Sequence, residues 1–275
     1  MKPKDTYFSM SRFVNVCRKE MVENWKSYLL RLAMVYGAFA VILVWNGYFQ
    51  YRAGTMTHTI NSVRQFAMYT FVWLLGIMGM VSASFMMERM KTKTGRINTL
   101  MLPATPFEQF LARWLILTFG FLVAFVIVYT LGDWTRVVIY RIAEPSMSEV
   151  IQPVSLLAVI DQIGKVGLIT NNLDVWSAIG FYLFWQSFFV LGSSLWPRHT
   201  LVRTFVAGIV LLIVYTLLAS GTVYIFMPAH PVSISTKVSD ETMQIGANIL
   251  MCVMAVVNWT LAYFRFKEAE IINRW

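Results

Sequence analysis

The chain has 275 residues, of which 57% are hydrophobic and 13% charged; its mean hydropathy is +0.59 and its formal net charge +9. A water-soluble domain carries about 25% charged residues, so this composition excludes the ordinary soluble classes. It points to a chain whose solvent is mostly lipid. The basicity (pI about 9.6) calls for no nucleic acid: no soluble stretch is long enough for a nucleic-acid fold, and the charge is explained by membrane topology.

Residues 1–28 are polar and charged, with no apolar core ahead of a small-residue cleavage site, so no signal peptide is expected. Residues 9–29 read as an amphipathic helix. Phe13, Val16, Cys17, Met21, Trp25, Tyr28 and Leu29 follow helical spacing, with Arg12, Arg18, Lys19, Glu23 and Lys26 on the remaining arc. Such a helix lies in the membrane interface; the other reading is the ragged end of the first span.

Six apolar stretches follow, at about 30–50, 66–87, 110–131, 175–196, 204–227 and 246–264. Each has about the 20 residues that cross a hydrocarbon core of about 30 Å. The fold class expected is an all-α membrane protein forming a single transmembrane domain over 1–275. It has six spans, an N-terminal interfacial helix and a short cytoplasmic coupling helix. Seventeen of the 23 basic residues fall in the N-terminal segment, the second-to-third connection, the fourth-to-fifth link and the C-terminal tail. The positive-inside rule places those segments, and both termini, in the cytoplasm. The localisation expected is the cell (cytoplasmic or inner) membrane, multi-pass.

The second-to-third connection carries the most specific pattern. It opens with Glu88-Arg89, continues through Lys91, Lys93, Gly95 and Arg96, and reaches Ile97, Leu100 and Met101 at 3–4 spacing, then Leu102 and Pro103. Thr105-Pro106-Phe107-Glu108 follows: Thr105 can cap a helix, Pro106 suits its first position and Glu108 completes a capping box. The spacing predicts a short helix between two spans, with a capped entry into the next. A partner pushing on that helix would move two spans together.

Residues 132–174 form a long external connection with Pro145 and Pro153. Its semi-apolar part, 155–169, contains Asp161, Gln162 and Lys165, each costly in a bilayer. It is read as an external surface or re-entrant helix over the outer mouth of the protein, not as a seventh span. Further on, Pro228 and Pro231 end the fifth span. Trp45, Tyr48, Trp134, Trp176, Trp196, Tyr224, Trp259 and Tyr263 sit near span ends as interfacial anchors.

Much chemistry is missing. There is no G-x-x-x-x-G-K-[ST] phosphate loop, so the chain is not expected to be an enzyme, and no protease motif. Cys17 and Cys252 suit neither a disulfide nor a metal. His58, His199 and His230 are scattered over three connections. Ionisable residues are nearly absent from mid-span, which disfavours an ion-coupled carrier. Asn46, Gln186, Ser193, Ser194 and Asn258 are the polar groups inside the spans: candidates for a substrate pathway, or for plain helix-to-helix hydrogen bonding.

The order Glu88-Arg89, Gly95, Leu100, Leu102, Pro103, Glu108 resembles the first cytoplasmic loop of the type-2 family of ABC (ATP-binding-cassette) export permeases. The architecture is similar too, although the long external segment follows span three here. The resemblance implies a membrane-spanning exporter subunit, homodimeric or heterodimeric with a related permease. It also implies that Glu88, Arg89, Gly95, Arg96, Leu100, Leu102, Pro103 and Glu108 couple to a separate ABC ATPase subunit. That subunit would hold ATP and Mg, and this chain would bind no cofactor of its own. The alternative, from another class, is a non-transporting scaffold or sensor subunit of a larger complex.

Overall fold

The structure is a computed structural model that describes residues 7–53, 56–149, 151–167, 171–226 and 239–269. The described residues form helices and no strands. Six of these helices are long and apolar enough to cross a membrane: Met10–Tyr51, Asn61–Ser84, Pro106–Ala143, Asn172–Leu195, Thr200–Leu218 and Glu241–Lys267. The chain is therefore an all-α, multi-pass membrane protein. The end of the fifth span at 227, with Pro228, His230 and Pro231, lies outside the described residues.

Two compact units emerge: 7–82 with 103–175, and 83–102 with 176–269. In the first, α1 (Met10–Ala53) is one helix of 44 residues. The amphipathic helix expected over 9–29 is its first half and continues unbroken into the first span. Residues 10–36 contain neither Gly nor Pro, so nothing in that stretch interrupts the backbone ladder. At about 1.5 Å per residue, α1 measures about 66 Å, more than twice the hydrocarbon thickness. Its exposed Trp25 and Trp45 are 20 residues apart, about 30 Å of helix, and mark one bilayer crossing. Lys26 lies over the Trp25 ring and Arg31 over Tyr28, as expected of side chains at headgroup level.

Next come α2 (Met56–Ser84), α4 (Pro106–Leu115) and α5 (Phe121–Ala143). A π-helical turn, Ile116–Gly120, joins α4 to α5, and the Ser82 hydroxyl donates to the Leu117 carbonyl within it (2.8 Å). Contacts between α1 and α4–α5 keep a nearly constant sequence offset: Arg12 with Glu108, Tyr36 with Thr135, Val44 with Tyr140. The two helices therefore run parallel, as first and third spans must. Two glycines permit the close approach: a Cβ on Gly132 would strike Phe39, and one on Gly47 the Tyr140 ring. In contrast, α2 runs antiparallel to both, with Phe71 against Phe125 and Tyr129. Phe39, Met68, Phe125 and Tyr129 are buried at the centre of this core.

The third helix does not stop at residue 131. Gly132, Asp133, Arg136, Val137 and Tyr140 are all buried along one face, so residues 132–143 continue α5 and the connection begins at Glu144. After the turn Pro145–Met147, residues 151–154 return along the unit and lead into α6 (Leu156–Lys165), capped by Ser155. Ile151, Val154 and Val159 enter the core, while Leu157 and Ile160 are exposed. The stretch read as helical thus holds a helix, α6, over Leu156–Lys165.

A buried ion pair ties this strap down. Arg136 and Asp133 are each 1% exposed. The Arg136 Nε donates to Asp133 Oδ1 (2.8 Å), Nη1 to the Tyr51 hydroxyl, and Nη2 to the Gln152 carbonyl (3.0 Å). The other Asp133 oxygen accepts from the Val154 N–H (2.6 Å). One pair thereby joins α1, α5 and the strap.

In the second unit a 3₁₀ turn, Glu88–Lys91, precedes α3 (Lys93–Leu100). The rest is α7 (Asn172–Leu195), α8 (Thr200–Phe226) and α9 (Asp240–Lys267). Gln244 donates to Ser177 (3.1 Å) and Asn258 to Ser187 (3.1 Å), so both helices advance in the same direction and α7 and α9 are parallel. Between α7 and α8 the pairs are Gly192 with Thr204 and Phe188 with Gly208, an antiparallel hairpin. Its tight link contains His199 in the left-handed region (φ 57).

Because removing one partner of a buried ion pair costs about 3–5 kcal/mol, Arg136→Met and Asp133→Asn are each expected to lower the unfolding free energy in detergent by about that amount. Both should speed amide hydrogen exchange across 151–159. The double change Asp133→Leu with Arg136→Met should cost less than the two single changes added together. Unchanged exchange in the single variants would show that the pair does not hold the strap.

Candidate functional site

Between the second and third apolar helices the chain makes two tight constructions in succession. The first is the turn into α3. Thr92 caps α3, its hydroxyl accepting from the Gly95 N–H (3.1 Å). A Cβ on Gly95 would lie inside the van der Waals surface of the Arg89 carbonyl oxygen. Only glycine fits where the helix backbone meets the preceding turn. Glu88 pairs with Lys91 (3.7 Å) at the start of that turn, and Met86, Met87 and Met90 are buried beneath it. Arg96, Leu100 and Leu102 are half-buried and Pro103 is exposed. α3 ends at Leu100, three residues before that proline, and Met101 and Leu102 close it with N–H bonds to the carbonyls of Ile97 and Thr99 (3.0 and 3.4 Å).

The second construction, in the other unit, is the start of α4. The predicted capping box is present in full: the Thr105 hydroxyl accepts from the Glu108 N–H (3.3 Å) and Glu108 Oε2 from the Thr105 N–H (3.1 Å). Glu108 does more than the pattern implied. It is fully buried, and its other oxygen accepts from the Ser9 N–H (2.7 Å) and from Arg12 Nη2 (3.1 Å). The Ser9 carbonyl in turn accepts the first-turn bond of α1 from Phe13 (2.9 Å). One carboxylate therefore receives backbone donors from the starts of two helices, where both macrodipoles favour negative charge. Thr105 Oγ1 also donates to the Tyr7 carbonyl (3.1 Å), and the Tyr7 ring lies on Phe107 (5.4 Å between centroids).

A second buried pair repeats the link further along α1: Arg113 of α4 stands 3.6 Å from Glu20, whose carboxylate also accepts from Asn24 (2.9 Å). Along its first half, then, α1 turns Arg12, Glu20 and Asn24 towards α4, while Arg18, Glu23 and Lys26 are exposed beside Met10, Val14, Met21, Val22 and Trp25. Sequence reasoning placed Arg12 on the outer arc and missed Glu20 and Arg113 as partners; the signal available was four-residue spacing of Arg12, Val16, Glu20 and Asn24.

Of the polar groups inside the spans, Gln186 and Asn258 meet at the contact between α7 and α9. Asn46 is half-buried on α1, in the first unit. Gln186 accepts from the Trp259 indole (3.2 Å), and Asn258 donates to Ser187. Ser193 and Ser194 donate to carbonyls of their own helix, Val190 and Leu191 (2.6 and 2.7 Å). Each of these four is engaged within its helix or with a neighbouring helix. Asp133 and Arg136 are buried charges that the sequence reading did not single out. Every polar atom of that pair named above has a partner, which fits a structural pair better than a proton carrier. Among the described residues no group of three or more His, Cys, Asp or Glu comes together as a metal site.

No protein-family model, curated protein or solved structure matches the chain.

The two constructions make separable predictions. Gly95→Ala forces the turn and α3 apart and is expected to destabilise that segment by about 1–3 kcal/mol, read as faster exchange of amides 93–101. Thr105→Ala removes one cap, about 1 kcal/mol. Glu108→Ala strands the N–H groups of Ser9 and Thr105, so it should free amides at 9–13 as well as at the start of α4. Protection at 9–13 that survives Glu108→Ala would dissolve the link between the two helices.

Proposed function

We propose that the chain is the membrane-spanning permease subunit of an ABC-type exporter, moving a substrate across the membrane with ATP hydrolysed on a separate ATPase subunit. The observation that carries this reading is the short α3 between the second and third apolar helices, locked at its start by Gly95 and followed by the capped entry at Thr105–Glu108. A loose basic loop needs neither a glycine that admits no side chain nor a capping box. A segment that receives force from a partner needs both, because backbone compliance there would absorb the stroke.

Other features support the same reading. Six crossings would bring both termini to one side of the membrane, and the basic asymmetry of the sequence favours the cytoplasm for that side. The chain carries no phosphate-binding loop, so the ATP and Mg would belong to the partner. Two copies of the chain, or one with a related permease, would enclose the pathway. The surfaces of the spans are apolar, which suits an amphipathic or lipid-like substrate.

Purification of the full-length chain from its native membrane tests the proposal. A polypeptide with a G-x-x-x-x-G-K-[ST] loop should accompany it, and ATP hydrolysis should belong to the complex and not to the chain alone. A cysteine placed at Lys93, after replacement of Cys17 and Cys252, should resist impermeant reagents in intact cells and react in inverted vesicles. Labelling from outside, or purification without any ATPase, would refute the assignment.

A further inference from the structure

We infer that α6 is bedded in lipid, with Leu157 and Ile160 among the acyl chains of the leaflet at the C-terminal end of α5, and Asp161 and Lys165 at its headgroups. The inference is independent of the exporter reading, and it settles how far a helix expected at the surface or re-entering the membrane goes in.

The depth of α6 follows from the register of the first unit. Gly132 meets Phe39 and Gly47 meets Tyr140 at the same offset, so residue 138 of α5 stands level with Trp45, which marks one end of the crossing. Asp133 lies five residues nearer the middle of the membrane, about 7.5 Å along the helix. The strap runs back along α5 to that depth. The Ile151 carbonyl accepts from Arg141 (3.1 Å), the Gln152 carbonyl from Arg136 (3.0 Å), and the Val154 N–H donates to Asp133 (2.6 Å). Ser155 then caps α6. The helix therefore starts on the membrane side of Trp45. Amphipathic helices lie about 5–10 Å into the boundary between headgroups and acyl chains, which is the same depth.

The faces of α6 agree with that position. Successive helical residues turn by about 100°. Leu156, Val159 and Ile163 share one sector, and Val159 is buried in the core. Ile160, Gly164 and Leu157 continue the apolar arc but are exposed, Leu157 by 78% and Ile160 by 64%. Asp161 and Lys165, exposed and paired with each other (2.6 Å), open the polar arc. The apolar arc is thus wider than the core it packs on, and its border with charge falls within the exposed face. Water on that whole face would leave Leu157 and Ile160 without cover. A stable protein partner needs about 20–30 residues a side, and this arc offers two large side chains. Lipid fits, because the exposed Leu131, Trp134 and Val138 of α5 present an apolar surface at the same level.

The test uses the full-length chain, with Cys17 and Cys252 replaced, in phosphatidylcholine vesicles. A nitroxide on Leu157→Cys or Ile160→Cys is expected to collide more with dissolved oxygen than with a water-soluble nickel chelate. On Asp161→Cys or Lys165→Cys the order should reverse, so that the preference changes sign between the adjacent residues 160 and 161. Separately, the unaltered chain in vesicles whose phosphatidylcholine carries a diazirine on its acyl chain should acquire lipid adducts at Leu157 and Ile160 on irradiation. Nickel exceeding oxygen at all four positions would place α6 in water. Exclusion of both reagents at Leu157 and Ile160 would place it against protein. Either result overturns the inference, as does the absence of acyl adducts within 156–165 of the unaltered chain. A label that disturbs the strap would show as faster amide exchange across 151–159, and the adducts on the unaltered chain then decide.

Discussion

The first unit depends on one buried carboxylate. Glu108 accepts from Ser9, Thr105 and Arg12, and these contacts bring the starts of α1 and α4 to a common point. An ionised group away from water is costly unless its lone pairs are filled. Here they are filled by donors that are themselves orphans, because the first N–H groups of a helix have no partner within it. Each half of the arrangement removes the penalty of the other. The parallel course of α1 and α4–α5 is set at this point and maintained by glycine contacts at Gly47 and Gly132.

The same rule governs the other end of α5. Asp133 and Arg136 lie three residues apart on one helix and have their bonds completed by Tyr51 and by the backbone of the returning strap. Buried charge in a membrane protein invites a reading as a proton or ion relay. Saturation argues otherwise. A relay needs a group that changes partners, whereas both Asp133 oxygens and three Arg136 nitrogens are committed to partners that hold α1, α5 and residues 152–154 together. The strap is a fixed part of the first unit, which fits a cover better than a mobile gate.

How much of this the sequence disclosed depends on the range of the interaction. The six apolar helices were legible because crossing a bilayer is a property of composition and length. The Thr105–Glu108 box was legible because it is local, complete within four residues. Gly95 was legible as a signal, although its cause, the Arg89 carbonyl, needed coordinates. The additional partners of Glu108 were not legible: Ser9 and Arg12 are almost a hundred residues away, and nothing local announces them. The pairing of Glu20 with Arg113 was missed for the same reason, since the two lie far apart in the chain. The continuation of α5 past residue 131 was hidden for a different reason: Asp133 and Arg136 look like the end of an apolar run until each is seen to supply the other's partner.

The two units treat polarity differently, and the difference bears on any transport pathway. In the first, buried ion pairs join Glu108 with Arg12, Glu20 with Arg113 and Asp133 with Arg136. In the second, the polar pairs are neutral and distributed along the helices: Ser177 with Gln244, Ser187 with Asn258, Gln186 with Trp259. Neutral pairs of this kind are worth about 0.6 kcal/mol each in a membrane protein, against the several kcal/mol at stake in a buried ion pair. The α7–α9 contact can therefore exchange partners at small cost, whereas the α1–α4 contact, held by Arg12 with Glu108 and Glu20 with Arg113, cannot. If spans rearrange during a working cycle, the physical argument assigns the rearrangement to α7 and α9 and gives the first unit the part of a rigid body. α3 belongs to the same unit as α7 and α9, which puts the element that would receive force with the helices least costly to move.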